Sequence, residues 1–226
     1  FSQVAQQSKN CLLLESAEID SKNSLQSILL IDAAVKISCQ GHKVKLDAKS
    51  NNGQSVLAFL ATQLAEHITA SAPDSIEVTF DRPDPLLDET SRLLHKNAFE
   101  VLRSIINSIK TNSDDQFSLF LGGVIAYDMI ANFEDLPEVP SVDNSCPDYV
   151  FYLGETLLSI DHQSNSARLI GNVFSGPDAM ANCFEIGKRL EQLQTLCEQP
   201  ALTPTTATTA TKVALTDQDR RNIEVD

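Results

Sequence analysis

A chain of 226 residues with 42% apolar content is long enough for one large domain or two small ones around a packed core. Its 17 basic and 31 acidic residues leave a net charge of −14, which repels nucleic acid and anionic lipid and excludes both as partners. No apolar run reaches the length of a membrane span, so a soluble, cytoplasmic protein is expected.

The chain opens on Phe1 with no methionine before Met129, so natural residues are expected ahead of it. Cys11 to Leu14 and Ser27 to Ile31 are short apolar runs of the buried-strand kind. Val35 to Cys39 and Val44 to Ala48 alternate with period two on either side of Gly41-His42, which predicts a hairpin with one wet face. Val56, Leu57, Phe59, Leu60, Leu64 and Ile68 recur at helical spacing after Asn51-Asn52-Gly53, and Ile76 to Phe80 alternates like a strand. From Asp88 to Ile109 one apolar stripe through Leu94, Ala98, Val101, Leu102 and Ile105 predicts a single long helix. Phe117 to Tyr127 is apolar with a break at Gly122-Gly123. Tyr149 to Ile160 and Ala167 to Phe174 then predict a strand pair around a polar turn. Pro177 is placed to open a helix running to Cys197, with Met180, Phe184, Leu190, Leu193 and Leu196 on its inner side.

This mixture of hairpins and helices argues an α+β fold. After Pro200 the Thr/Ala/Pro run from Thr203 to Thr211 lacks the large apolar groups that offset chain ordering, which predicts a mobile linker. Thr216 with Asp219 then resembles a helix start that stops at Asp226, as if cut mid-element. Three parts are expected: 1–199, a linker at 200–212, and the start of a further region at 213–226.

Little in the chain announces catalysis. Gly122-Gly123 lacks the third glycine of a dinucleotide loop and the Lys-Ser/Thr of a phosphate loop, and no Gly-x-Ser-x-Gly elbow occurs. His42, His67, His95 and His162 are expected to be surface or structural groups, and Asp81, Asp84, Asp88 and Glu89 a solvated acidic face. The five cysteines form no Cys-x-x-Cys pair. Cys183 and Cys197 on one helix would stand roughly 21 Å apart, too far for a disulfide, so reduced thiols are expected.

Leu12-Leu13-Leu14-Glu15-Ser16, followed by Ala17 to Lys22, resembles the opening tryptophan-binding motif of anthranilate synthase component I, a chorismate-utilising enzyme family. Pro85 to Glu89, Gly122 to Asp128 with Phe133-Glu134, Cys146 to Tyr149, Phe151 to Leu153 and Glu155-Thr156 resemble that family's amino-terminal region in the same order. Together the strings cover Leu12 to about Gln199.

The resemblance implies an antiparallel or mixed β-sheet with flanking helices, forming the amino-terminal part of the family's β-sandwich. It implies that 1–199 is the tryptophan-sensing region and that 213–226 begins the catalytic, chorismate-binding region. Mg²⁺ and all catalytic groups would then belong to the later region, so the stretch alone is expected to be inactive. A glutamine amidotransferase partner, component II, supplies ammonia in that family, and chorismate becomes anthranilate and pyruvate. The inhibitor L-tryptophan would meet Leu14, Glu15 and Ser16.

Strand alternation alone sends Leu12, Leu14 and Ser16 to one face and Leu13 and Glu15 to the other, so a regular strand cannot deliver both polar groups to one pocket. From spacing, a serine turn cap and a solvated glutamate are the simpler roles; the resemblance favours Ser16 as a ligand and leaves Glu15 open. Tyr127 and Asp128 are expected to pack and cap. Where many relatives carry an arginine or lysine segment, this chain has Gln26-Ser27-Ile28-Leu29, and Met129 to Asn132 lacks their arginine. Two alternatives stand beside this assignment: aminodeoxychorismate synthase component I, which often has Asp for Glu in the motif, and a free-standing amino-acid-binding module.

Overall fold

A computed structural model describes residues 4, 8, 10–15, 25–84, 86–132 and 146–199. Eight strands form one sheet in which every pairing is antiparallel. Its spine is two long strands, β2 (Gln26–Gln40) and β7 (Tyr149–Asp161), paired from Gln26↔Asp161 to Cys39↔Tyr149. The pairing slips between Leu30 and Val35, and these irregularities divide the sheet into two halves. On one side of the slip β1 (Leu12–Glu15) flanks β2 and β8 (Ser166–Gly171) flanks β7. On the other, β3 (Lys43–Ala48), β5 (Ser75–Thr79) and β4 (Ile68–Ala72) extend from β2, and β6 (Leu121–Ile125) pairs with β7.

The helices cover the sheet where alternation leaves apolar rows. Helix α1 (Asn51–Gln63) is capped by Ser50, whose side chain accepts from the Gly53 N–H at 3.0 Å. It buries Val56, Leu57 and Leu60 in the main core with Val35, Ile37, Val44, Leu46 and Val78, and α3 (Glu100–Ser108) adds Val101, Leu102 and Ile105. Helix α4 (Ala179–Glu198) brings Leu193 and Leu196 onto Leu29, Ile31 and Leu13, while Leu12, Ile28, Leu30 and Leu157 cluster separately with Phe120 and Tyr152. Adjacent residues of β1 and β2 therefore serve different cores.

The structure corrects several expectations. The runs at Ser27 and Val35 belong to one strand, because Asp32, Ala33 and Ala34 bridge them through the register slip. Ile68 starts β4 instead of ending α1; four of its five residues are exposed, so the edge strand carries no alternation to read. The long helix from Asp88 is broken into α2 (Glu89–Leu93) and α3. Between them Asn97 accepts from Phe99 N–H and donates to the His95 carbonyl, replacing helical bonds, and Leu94 is exposed. On α4 Met180 and Phe184 face outward at 86% and 71% exposure, whereas polar Asn182 is buried with Ile186 and Leu193. Gly122 and Gly123 lie within β6, where a side chain on Gly123 would meet the Val150 carbonyl at 2.1 Å. The linker at 200–212 and the expected helix start at 213–226 lie outside the described residues.

Candidate functional site

Strand β1 pairs with β2 in regular register, Leu12↔Leu30 to Glu15↔Ser27. Leu14 lies opposite Ile28, on the face that carries Leu12, and is 43% exposed. Gln26, in phase with Ile28, is held by the Gln116 side chain, whose Nε2 donates to its Oε1 at 3.1 Å. Glu15 lies on the other face, at a cavity of about 320 Å³ lined by Leu13, Leu29, Leu158, Leu196 and His162. His162 closes that cavity through a 2.7 Å bond to the Ser27 hydroxyl. The described strand thus separates Leu14 from Glu15, as alternation requires; Ser16 lies outside the described residues. Tyr127, expected to pack, is 88% exposed at the start of a 3₁₀ turn over Tyr127–Asn132.

A second, more polar cavity of about 450 Å³ lies at the register slip. Asp32 on β2 accepts from Arg189 on α4 twice, at 2.8 and 3.1 Å, and from the Thr156 hydroxyl at 2.6 Å. Beside it Glu155 is buried, its Oε1 accepting from Ser50 at 2.6 Å and from Asn52 at 3.0 Å. Burial raises the Glu155 pKa, the two hydrogen bonds pull it back, and Asp32 adds to the rise. Asn52 also donates to the Asn172 carbonyl and accepts from Phe174 N–H. Sequence patterning missed this group because Asp32 sits inside an apolar run, and Arg189 and Asn182 were assigned no role on their helix. The string Glu155-Thr156 was the one signal that touched it.

Other titratable groups offer less. Burial, with Asp148 adding to it, pushes the Cys39 thiol up to about 12, so it is an inert core group. His42 is held below its ordinary value by burial and by Arg82, whose Nε donates to it at 2.9 Å. Among the described residues no group of three or more His, Cys, Asp or Glu is placed to hold a metal ion, and no helix is long and apolar enough to cross a membrane.

Fold and geometry together define an α+β unit with an open antiparallel sheet that carries an apolar strand end and a polar cavity. No protein-family model matches the chain. It is 44% identical over 191 residues to anthranilate synthase component 1 of Vibrio cholerae, a match covering 84% of this chain and 36% of that protein. The same protein of Serratia marcescens is 43% identical over 190 residues (84% and 36%), and that of Escherichia coli 40% over 176 (77% and 34%). A crystal structure of anthranilate synthase component I from Streptococcus pneumoniae aligns with a TM-score of 0.47 at 17% identity, covering 83% of this chain and 33% of that one. Over most of its length the chain is similar to anthranilate synthase component I proteins, and it spans about a third of the length of the curated relatives it matches.

Proposed function

We propose that the chain is the amino-terminal, inhibitor-sensing segment of a cytoplasmic anthranilate synthase component I in tryptophan biosynthesis. The observation that carries this is the 44% identity over 191 residues to a protein of that name. In this proposal the complete enzyme converts chorismate and ammonia to anthranilate and pyruvate, a glutamine amidotransferase subunit delivers the ammonia, and a later region holds chorismate and Mg²⁺. The present segment supplies no catalytic group and alone forms no anthranilate.

Its task is to bind L-tryptophan at the end of β1. The exposed Leu14 face gives the indole an apolar floor, and Ser16 offers a hydroxyl and an N–H to the ligand carboxylate. Glu15 lies across the strand from Leu14, so it acts on the ammonium only where the ligand reaches around the strand end. The segment from Gln26 to Leu29 lacks the basic residue of many relatives, so any contact Gln26 makes to the ligand is a neutral hydrogen bond in place of a charge.

The test is Ser16→Ala in the complete enzyme. A hydrogen bond to a charged group contributes about 1.5–3 kcal/mol, so the tryptophan inhibition constant should rise roughly 10- to 100-fold while turnover stays close to the parent. By linkage, saturating chorismate should weaken tryptophan binding in both proteins. An unchanged inhibition constant would return Ser16 to the role of a turn cap.

A further inference from the structure

The cavity at the register slip is built differently from the strand end. Asp32 and Arg189 neutralise one another, so neither leaves a free charge at its floor. Lys49 and Glu185 stand at the rim, and the Lys49 ammonium has only a 4.0 Å contact to Asp47. Glu155 receives both of its hydrogen bonds on Oε1, which leaves Oε2 unengaged.

Asn182 is the telling member. It is 6% exposed, it lines the cavity, and its Nδ2 has no partner; among the described residues only one other buried side-chain nitrogen or oxygen, His67 Nε2, is in that position. A buried amide donor left unpaired weakens a fold, and a bound acceptor would remove that cost. One cavity therefore brings together two donors, Lys49 with its long contact to Asp47 and the unpartnered Asn182, and two carboxylates with room for a donor, Glu155 and Glu185.

Only a ligand carrying both signs satisfies both sets. The apolar lining is limited to Ala33 and Ile186, so an indole or a long aliphatic chain finds little cover there. We propose that this cavity is a binding site for a small hydrophilic zwitterion, an α-amino acid with a polar side chain or none, whose carboxylate meets Lys49 and Asn182 and whose ammonium meets Glu155 and Glu185. The site is distinct from the strand end and does not depend on tryptophan binding there.

The test is calorimetric titration of the intact protein with glycine, L-serine, L-glutamine and L-glutamate, with and without saturating L-tryptophan, alongside thermal unfolding. At least one of the four should bind saturably in the presence of tryptophan. Asn182→Leu and Lys49→Gln should each weaken that binding roughly tenfold or more. Asn182→Leu should at the same time raise the melting temperature, because it removes an unpaired buried donor. A merely structural asparagine would give the opposite sign. The proposal falls if none of the four binds, if tryptophan displaces the one that does, or if both variants bind it with the parent affinity. Lys49→Gln changes only a rim side chain, so it remains informative should Asn182→Leu fail to fold.

Discussion

Replacing Gly53 by alanine should destabilise the protein although Gly53 lies in the first turn of helix α1. Helix propensity alone favours alanine by about 1 kcal/mol. The added methyl, however, would stand 2.0 Å from the Ala34 carbonyl oxygen and 2.8 Å from its carbon. That oxygen cannot turn away, because it belongs to the central strand and accepts the Lys49 N–H at 2.8 Å. The helix must instead retreat by roughly 1 Å or more to reach ordinary contact, loosening Val56, Leu57 and Leu60 and drawing Asn52 off Glu155. Overpacking costs about 1–3 kcal/mol and the strained Lys49 bond about 1 kcal/mol; after the propensity gain the net loss is about 2 kcal/mol. For a domain of this size that lowers Tm by roughly 4–8 °C. Gly187→Ala is the control: it lies on an exposed turn of α4, its new methyl meets nothing within 4 Å, and it should raise Tm. Melting curves followed by circular dichroism decide the matter, and a Gly53→Ala protein that gains stability as Gly187→Ala does would refute the steric argument.

Two further perturbations probe the polar cavity. Because the folded state raises the Glu155 pKa, it binds the proton more readily than the unfolded chain; this contribution is full below the ordinary glutamate value and is lost as pH rises through the folded pKa. Glu155→Gln should therefore gain on the parent with rising pH in urea unfolding between about pH 4 and 8, and a difference flat in pH would contradict the assignment. Arg189→Met leaves the half-buried Asp32 carboxylate with only the Thr156 hydroxyl and should cost about 1–2 kcal/mol, between exposed and buried pairs. Asp32→Asn added to it should restore part of that loss, and an Arg189→Met protein of parent stability would show the ion pair to be idle.

Much of the fold was legible because one-sided burial writes period two into strands. The hairpin of β2 and β3 follows directly from alternation, and the pair β7 and β8 from two apolar runs on either side of a polar turn. Legibility failed where a polar side chain decides the phase. Helix α4 is tied to the sheet by Arg189 reaching Asp32, and a stripe chosen for apolarity put Met180 and Phe184 inward when they face out. The break after Leu93 depends on Asn97 bonding its neighbours' backbone, which competes with a helix that apolar spacing alone would continue. Of the strand-end site, the separation of Leu14 from Glu15 was readable from alternation. The polar cavity was not, since Asp32, Glu155 and Asn182 come from three elements that meet only in the folded chain.

The position of that cavity follows from how the two long strands are paired. In an antiparallel sheet a slip of two residues keeps every side chain on its own face, so apolar alternation cannot by itself distinguish the native register of β2 and β7 from its neighbours. Asp32, Glu155 and Thr156 can. Moving β7 by two residues would take the Thr156 hydroxyl from Asp32 and place Glu155 away from Ser50 and Asn52, leaving a buried carboxylate unpaired at a cost of several kcal/mol. The polar seam thus selects one register where the apolar rows would accept several. The irregular pairing between Leu30 and Val35 coincides with these groups. Because the seam lies between the core under α1 and the core under α4, a ligand held there touches elements of both: Asn182 and Glu185 from α4, and Lys49 beside the start of α1.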